Sequence, residues 1–272
     1  MDSSPRHKLE VLIVTHGPDG LQRVADMRLP SVDGVGYVVA WQHRQPATAI
    51  PAPLWRDDIA IYPNTTVGSG ANRNEALAHA SAPVVLMADN DLRYSRSALL
   101  AVIDTFRRYP DTDLALFRYH GAKKKYPRGV TVLKRRTIPY VTTFEMAVRL
   151  QSIRDAGVRF DPLFGAGAYY GCGEDHLFFH DCLRKGLRCV FFPVTVTSHP
   201  HSTTGSRPIA TVPAARAQGA IMRRVFGMWG GLPRLPLMAW RTWRAGRAPL
   251  LWLLRHAIPA FFYPGHPAQA IL

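Results

Sequence analysis

Short apolar runs alternate with helix-forming segments along the first two thirds of the chain. The apolar runs end in turn-forming residues and predict buried strands, at residues 9–15, 36–41, 59–62, 83–88, 114–119 and 187–196. Segments rich in helix formers predict helices, at residues 71–80, 97–109, 143–157 and 174–185. Strands that alternate with helices in this way are typical of an α/β fold with an open, mostly parallel sheet flanked by helices.

Serine and glycine residues mark the ends of three of the predicted helices. Ser95 or Ser97 is expected to cap the helix at residues 97–109, because a serine side chain accepts a hydrogen bond from a first-turn amide. Gly157 and Gly186 are expected to end the helices that precede them. Between the strand and helix patterns, residues 123–136 are rich in Lys and Arg and predict a basic loop or hairpin.

The last third of the chain differs in composition from the rest. Residues 182–272 contain 12 Lys or Arg, four of the six tryptophans and no acidic residue, and the whole chain has a net charge of +15. Arginine mixed with tryptophan and leucine favours an interfacial membrane segment over nucleic-acid binding, the other interpretation of so basic a region. We expect a domain of residues 1–210, a linker near residues 205–215, and a basic, Trp- and Arg-rich helical tail of residues 211–272.

The predicted tail is expected to bind an anionic membrane surface without crossing the membrane. On a helix with about 100° per residue, Arg234, Arg241, Arg244 and Arg247 fall roughly on one side. No run reaches the roughly 18 uninterrupted apolar residues of a spanning helix, since residues 248–263 are broken by charged residues and proline. The alternatives to membrane binding are that the tail forms a helical cap on the domain or a contact in an oligomer.

Signals for secretion and for disulfides are not found in the sequence. The N-terminal apolar run is short and lacks a cleavage site, so no secretory signal is expected. The three cysteines lack CxxC spacing, so neither a disulfide framework nor a zinc knuckle is expected. These features favour the reducing cytoplasm, with the chain on the inner face of the cell membrane.

An acidic motif, Asp89-Asn90-Asp91, directly follows the predicted strand at residues 83–88. Ligands of parallel sheets bind beyond the carboxyl ends of the strands. Carboxylates are preferred ligands of Mg²⁺ and Mn²⁺, which often keep phosphate oxygens as further ligands. The motif therefore predicts a divalent-cation site at a phosphate, although Asp and Asn also favour ordinary turns.

Two more acidic residues follow a glycine-rich loop. Residues 164–173 lead into Glu174 and Asp175, which open a predicted helix. The helix dipole favours an ionised carboxylate there, and such a group can take a proton from a hydroxyl as a general base. Ordinary helix capping is the alternative.

Two further residues are candidates for contacts with phosphate. His199 follows the strand at residues 187–196 and could reach a metal or phosphate, while His201 is a nearby histidine that could be confused with it. Arg73 opens a helix after Gly68-Ser69-Gly70 and could reach a base or phosphate, or could lie on the surface. The glycine pattern matches neither GxGxxG nor a P-loop.

The order of these motifs resembles the inverting family 2 glycosyltransferases with the GT-A fold, and more narrowly the bacterial members that build capsular, exopolysaccharide or lipopolysaccharide chains. The similarity spans roughly residues 8–210. It is carried by the runs NTTVGSGANRNEALAHASAPVVLMADNDLRYS, FDPLFGAGAYYGCGEDHLFFHDCLRKGL and VTSHPHSTTG. The resemblance implies a Rossmann-like central sheet with helices on both faces.

The resemblance also implies roles for particular residues. Asp89 and Asp91 match the metal-binding Asp-x-Asp motif, with Asn90 between them in the donor site. Asp175 matches the catalytic base, and His199 matches a histidine near the metal and diphosphate. Contacts with the nucleotide base are implied for Thr15, Gln42 and Arg73.

Two departures from the family pattern concern the nucleotide base. The first strand ends Thr-His-Gly-Pro rather than Thr-Tyr-Asn, and Trp41-Gln42-His43 replaces the acid that commonly follows the second strand. The resemblance still implies a nucleotide-sugar donor, with a UDP-sugar expected, and Mn²⁺ or Mg²⁺ as cofactor. The acceptor is expected to be a saccharide or a lipid-linked acceptor, with no nucleic acid as a partner.

Two rival functions remain open from the sequence. One is a non-catalytic, basic nucleic-acid-binding protein, for which binding would be sensitive to salt. The other is a transferase-like scaffold that binds the donor and does not turn it over.

Overall fold

The computed structural model describes residues 6–43, 49–121, 125–134, 141–199, 209 and 211–262. The strands are β1 Leu9–His16, β2 Val35–Gln42, β3 Ile59–Asn64, β4 Val84–Asp89, β5 Leu114–His120, β6 Thr131–Val132, β7 Met146–Arg149 and β8 Cys189–Ser198. The helices are α1 Gly20–Asp26, α2 Ser69–His79, α3 Arg96–Arg108, α4 Leu150–Asp155, α5 Glu174–Arg184, α6 Val212–Gly231, α7 Arg234–Arg244 and α8 Leu250–Phe262.

The chain divides into two compact units that interleave along the sequence. Unit 1 consists of Met1–Thr66, Ala71–Arg159 and Phe178–His201. Unit 2 consists of Val67–Gly70, Phe160–Leu177 and Ser202–Leu272. The boundary expected near residue 210 stays a prediction.

Unit 1 contains an eight-stranded sheet in the order β3-β2-β1-β4-β7-β5-β8-β6. Strands β1 to β4 run parallel to one another, and β5 runs parallel to β8. In β1, seven of the eight residues are buried, as expected for a strand covered on both faces. The buried Glu10 is compensated because its carboxylate accepts hydrogen bonds from the amide and hydroxyl of Ser81. The predicted α/β fold with a mostly parallel sheet is confirmed.

The predicted helix ends agree with the structure. Ser95 caps α3 by accepting a hydrogen bond from the Ala98 amide at 3.1 Å. Gly157 and Gly186 follow α4 and α5 with φ of +63° and +82°, the left-handed region that suits glycine at a helix end.

The helix predicted at residues 143–157 is wrong over its first half. The chain forms a 3₁₀ turn at Thr143–Glu145 and then β7, and only Leu150–Asp155 is α-helical. Strand β7 is antiparallel to both neighbours, and Ala147 pairs with Leu86 and with Ala115. Met and Ala favour helices in isolation, but hydrogen bonds to strands on both sides and full burial of Ala147 and Val148 outweigh that preference.

The basic segment at residues 123–136 is described in part. Its residues 125–134 include the two-residue strand β6, which pairs antiparallel with β8. Residues 123, 124, 135 and 136 lie outside the described residues, so the choice between loop and hairpin is not decided for them.

Unit 2 contains the glycine-rich loop and helices α6 to α8, so the predicted tail is largely helical over residues 212–262, while its residues 263–272 lie outside the described residues. Helices α6 and α8 approach closely at Gly219, where a Cβ atom would lie 1.8 Å from the carbonyl oxygen of Ala257. Among the described residues, no helix combines the length and apolar character that crossing a bilayer requires.

Two details of the tail differ from the sequence prediction. Helix α6 begins at Val212 with Thr211 as its cap, so the last part of the expected linker at residues 205–215 is helical; residues 205–208 and 210 lie outside the described residues. Arg247 lies beyond the end of α7, where Gly246 has a φ of +67°, so Arg247 does not share a helix face with Arg234, Arg241 and Arg244.

Candidate active site

The carboxyl ends of four parallel strands bring the predicted donor-binding residues of unit 1 to one edge of the sheet. Val14 of β1 pairs with Asp89 of β4, and Thr15 of β1 pairs with Trp41 of β2. Gln42 of β2 pairs with Asn64 of β3. Because these strands are parallel and in this register, Thr15, Gln42 and Asp89 all lie at strand ends on the same edge. Open α/β sheets bind their ligands at this edge.

Side-chain hydrogen bonds connect the ends of β1 and β4. The Thr15 hydroxyl accepts from Asn90 Nδ2 at 2.6 Å and donates to the Gly20 carbonyl at 3.0 Å. Asn72 donates from Nδ2 to the carbonyls of Thr15 and Ala40, both at 3.0 Å, and is 2% exposed. These hydrogen bonds fix the positions of Thr15 and Asn90 at the edge of the sheet where the parallel strands have their carboxyl ends.

Asn72 was missed by sequence analysis. Its amide oxygen accepts from Asn64 Nδ2 at 2.9 Å, so this side chain links β3 with β1 and β2. The available signal was a polar residue at the start of a helix next to the candidate Arg73. Nothing in the sequence shows that Asn72 points into the sheet.

Gln42 is held at the end of β2. Its Nε2 donates to the Thr66 hydroxyl at 2.9 Å, and that hydroxyl donates to Asn64 Oδ1 at 2.6 Å. The neighbouring Trp41 donates from its indole to the Gly17 carbonyl at 2.8 Å and stacks on His43. These contacts orient the segment that was expected to contact the nucleotide base.

Arg73 and Asp89 form an ion pair at 2.6 Å. The Arg73 side chain is 6% exposed and the Asp89 carboxylate is 34% exposed, so the pair extends from the interior to the surface of unit 1. The alternative that Arg73 is a surface arginine is therefore wrong. A buried guanidinium needs a charged partner, and Asp89 provides it.

Asp91 and His199 lie next to each other. His199 Nε2 is 3.3 Å from Asp91 Oδ2, and the imidazole packs against the ring of Phe144. An isolated β-bridge explains the approach, because the amides of Arg93 and Ser198 each donate to the carbonyl of the other residue at 3.1 Å. This bridge joins segments more than 100 residues apart in the sequence.

Asp91 and His199 have side chains of the types that could hold a divalent cation. Carboxylate oxygen and imidazole nitrogen are both ligands of Mn²⁺, and phosphate oxygens complete such sites. The described residues contain no group of three or more His, Cys, Asp and Glu side chains placed to hold a metal. The predicted set of Asp89, Asp91 and His199 is thus not assembled as a trio, and Asp89 is turned to Arg73.

Tyr94 is a buried tyrosine that is close enough to Asp89 and Asp91 for their charges to act on it. Burial, together with the negative charges of Asp89 and Asp91, raises the pKa of Tyr94 far above its ordinary value. The phenol therefore stays neutral and adds no negative charge beside a cation site.

Glu174 has a structural role in unit 2. Its Oε1 accepts from the Ser69 hydroxyl at 2.8 Å, and the Ser69 amide donates to the Ala166 carbonyl at 2.9 Å. Gly165 lies against this contact with a φ of +109°. The segment Gly68-Ser69-Gly70 and the glycine-rich loop are therefore packed together, and Glu174 holds them.

Asp175 is the second acidic residue in the first turn of α5. Its carboxylate is 20% exposed, and Oδ1 accepts from the His176 amide at 2.8 Å. The helix dipole favours the ionised form of Asp175 at this position.

Burial, with Glu174 and Asp175 nearby, raises the pKa of Cys172 to about 12. The Cys172 thiol is therefore not a nucleophile at neutral pH.

We expect Gly165→Ala to destabilise the protein by about 3 kcal/mol or more, because it combines a strained φ with a steric clash. A Cβ atom there would lie 2.3 Å from Ser69 Oγ and 2.9 Å from Glu174 Cδ. Gly186→Ala is the matched control, since Gly186 also has a positive φ but its Cβ would contact nothing within 4 Å. We expect it to cost only about 1–2 kcal/mol. Chemical denaturation of both variants measures the difference, and equal losses would show that the packing of the loop on Glu174 contributes little.

The central part of the chain matches a known protein family. Residues 42–156 match the model of the family described as glycosyl transferase family 2. This region is less than half of the chain and contains Gln42, Arg73, Asp89 and Asp91. A search of curated proteins by sequence found no match.

The fold is similar to several solved structures. TarS 1-349 from S. aureus has a TM-score of 0.59 and 15% identity, over 85% of this chain and 69% of that chain. TarS 1-349 in complex with UDP-GlcNAc has a TM-score of 0.58 and 16% identity, over 85% and 70% of the two chains. The mannosyltransferase PcManGT from Pyrobaculum calidifontis, in complex with GDP-Man and Mn²⁺, has a TM-score of 0.54 and 15% identity, over 99% and 81%. The chain has the GT-A fold of glycosyltransferases.

Proposed function

We propose that the chain is an inverting glycosyltransferase that moves a sugar from a nucleotide-sugar donor to the hydroxyl of a saccharide or lipid-linked acceptor. The observation that carries this proposal is the Asp91–His199 pair, which lies beside a polar network at the carboxyl ends of parallel strands. The match of residues 42–156 to glycosyl transferase family 2 supports the same class of reaction.

The donor is proposed to bind unit 1. Asn90 and Gln42 are partly exposed at the strand ends and are fixed there by hydrogen bonds, Asn90 by the buried Thr15 and Gln42 by Thr66, as the recognition of a nucleotide requires. The buried Arg73 adds positive charge below Asp89. Among the similar structures, one contains UDP-GlcNAc and one contains GDP-Man, which supports a nucleotide sugar and leaves the base open; we expect a UDP-sugar.

The diphosphate is proposed to share a divalent cation, Mn²⁺ or Mg²⁺, with Asp91 and His199. Such a cation neutralises negative charge on the leaving diphosphate. Asp89 is proposed to assist from its ion pair with Arg73, directly or through water. The presence of Mn²⁺ in the similar mannosyltransferase structure supports this cofactor.

Asp175 is proposed as the general base. In this reaction the acceptor oxygen forms a bond to the anomeric carbon while the bond from that carbon to the diphosphate oxygen breaks. The electron pair leaves with the diphosphate, and Asp175 takes the proton of the acceptor hydroxyl. A single displacement of this kind inverts the anomeric configuration. Glu174 is not assigned this role, because its carboxylate accepts from Ser69 and thereby holds Gly68-Ser69-Gly70 on the glycine-rich loop.

The acceptor is proposed to belong to bacterial surface-polysaccharide synthesis, as the motif resemblance implies. The enzyme would then act in the cytoplasm, on the inner face of the cell membrane. The basic composition of residues 182–272 supports a location at an anionic membrane surface.

A thermal-shift screen with UDP-, GDP-, dTDP- and CMP-sugars in the presence of Mn²⁺ tests the proposal. One nucleotide class should raise the melting temperature, since a ligand at about 100 times its Kd adds about 2.7 kcal/mol to the stability. Duplex DNA and RNA at physiological salt serve as controls. If nucleic acid stabilises the protein and no nucleotide sugar does, the rival nucleic-acid-binding function is the correct one.

A further inference from the structure

The outer side of helices α6 and α7 carries tryptophans and arginines that face solvent. We call it the Trp–Arg surface and define it by the exposed side chains of Phe226, Trp229, Leu237, Trp240, Trp243, Arg234, Arg241 and Arg244. Trp229 is 86% exposed, and Trp240 and Trp243 are 41% and 51% exposed. Large rings exposed together in this way mark an interaction surface.

Helix α7 separates its inner and outer faces cleanly. Leu235 and Ala239 are buried against unit 2. At about 100° per residue, Leu237, Trp240 and Arg244 point away from that buried face. Arg234 and Arg241 lie on one flank of the outer face, whereas Trp243 lies on the opposite side of the helix, closer to the buried face.

The aromatic and basic side chains of the surface are in contact. The Arg244 guanidinium lies 5.2 Å from the centroid of the Trp240 ring, and the Arg234 guanidinium lies 4.8 Å from the Phe226 ring. Arg234 also donates to the Gly230 carbonyl at 2.6 Å, which connects the start of α7 with the end of α6. The exposed residues of the two helices therefore form one surface.

The charge and the aliphatic side chains of the Trp–Arg surface together indicate the kind of partner. Residues 182–272 contain no Asp or Glu, so no acidic side chain of that segment neutralises the arginines. Anionic lipid headgroups and nucleic acids both attract such a surface. Of these two partners, the lipid surface is the one that also gives a favourable environment to exposed aliphatic side chains such as Leu237, which is 45% exposed.

We propose that the Trp–Arg surface docks on a membrane that contains anionic phospholipid. The arginines bind lipid phosphates, and the tryptophan rings enter the headgroup layer, which tryptophan prefers. The chain then lies on the membrane, and none of its described helices needs to cross it. This inference rests on unit 2 alone and does not depend on the transferase proposal.

Flotation of the full chain with phosphatidylcholine vesicles, with and without phosphatidylglycerol, tests the proposal. Wild type should float with the anionic vesicles only. Arg241→Gln/Arg244→Gln should weaken that partitioning about 10- to 30-fold, because each arginine near an anionic leaflet contributes about fivefold. Arg107→Gln/Arg108→Gln, at exposed arginines of α3 in unit 1, changes the net charge equally and should float as wild type.

The tryptophans are tested in the same assay. Trp240→Ala/Trp243→Ala should weaken partitioning to a similar degree. Trp55→Ala is the matched control, since Trp55 is 72% exposed but lies in unit 1. Release of nucleoside diphosphate from a donor in the absence of vesicles should be unchanged in all these variants, which separates a failure of docking from a failure of the transferase proposal.

Three results would overturn the docking proposal. The first is wild-type flotation of both tail variants when their melting temperatures are unchanged. The second is an equal loss of flotation in the control variants, which would indicate a nonspecific charge effect. The third is salt-sensitive binding of RNA or DNA with no flotation, which would assign the surface to nucleic acid.

Discussion

Asp175→Asn should lower the rate of sugar transfer by about 10²- to 10⁴-fold, the usual contribution of a general base, and leave donor affinity nearly unchanged. Asparagine keeps the size of the side chain and its Oδ1, which can still accept from the His176 amide as Asp175 does at 2.8 Å. It cannot take a proton from the acceptor hydroxyl. Release of nucleoside diphosphate, quantified by chromatography, measures the rate, and a thermal shift with the donor measures binding.

Glu174→Gln is the matched control for that experiment. Glu174 is adjacent in the sequence, but Ser69 holds its carboxylate at 2.8 Å, and a glutamine oxygen can accept the same hydrogen bond. We expect a modest change in rate and a small loss of stability. If Glu174→Gln abolished transfer and Asp175→Asn did not, the assignment of the base would be reversed.

The second large effect is expected from Asp91→Ala. Removal of this carboxylate should lower the rate of transfer by about 10²-fold or more and weaken Mn²⁺-dependent donor binding. The reason is that a bound cation stabilises the negative charge on the leaving group by several kcal/mol. His199, 3.3 Å from Asp91, would remain as the neighbouring metal ligand. Titration of Mn²⁺ in the transfer assay measures the change.

Asp89→Asn separates the two aspartates. Asp89 pairs with the buried Arg73 at 2.6 Å, so loss of the Asp89 charge should lower the melting temperature. The Mn²⁺ concentration needed for half-maximal rate should change much less than it does in Asp91→Ala. Transfer that continues at full rate in excess chelator would contradict the metal assignment for both residues.

The parallel part of the fold could be predicted from local sequence. Strands β1, β2 and β4 are covered on both faces, and this is visible in the sequence as apolar runs that Glu10 alone interrupts with a charge before the strand ends. Asp89 and Asp91 could be placed at a strand end for the same reason. Local signals also located the caps Ser95 and Gly186.

Strand β7 could not be predicted in this way. Its four residues, Met146–Arg149, favour a helix by their intrinsic preferences, and only pairing with β4 and β5 makes them a strand. Those partners lie far away in the sequence, so a local pattern contains no sign of them.

The long-range contacts of the candidate residues within each unit could not be predicted from the sequence either. In unit 1 the Arg93–Ser198 bridge brings His199 to Asp91, and in unit 2 the Ser69 hydroxyl donates a hydrogen bond to Glu174. Both contacts join segments about 100 residues apart. The sequence could name the participants, but their partners depend on how the chain folds.

The most direct test of the central claim is to follow the anomeric proton of the donor sugar by NMR, with water as the simplest acceptor hydroxyl. Wild type with the diamagnetic Mg²⁺ should release nucleoside diphosphate, and the sugar first formed should have the configuration opposite to that of the donor. Asp175→Asn should release almost none. A first product that retains the donor configuration, or equal release by wild type and Asp175→Asn, would contradict an inverting transferase in which Asp175 is the base.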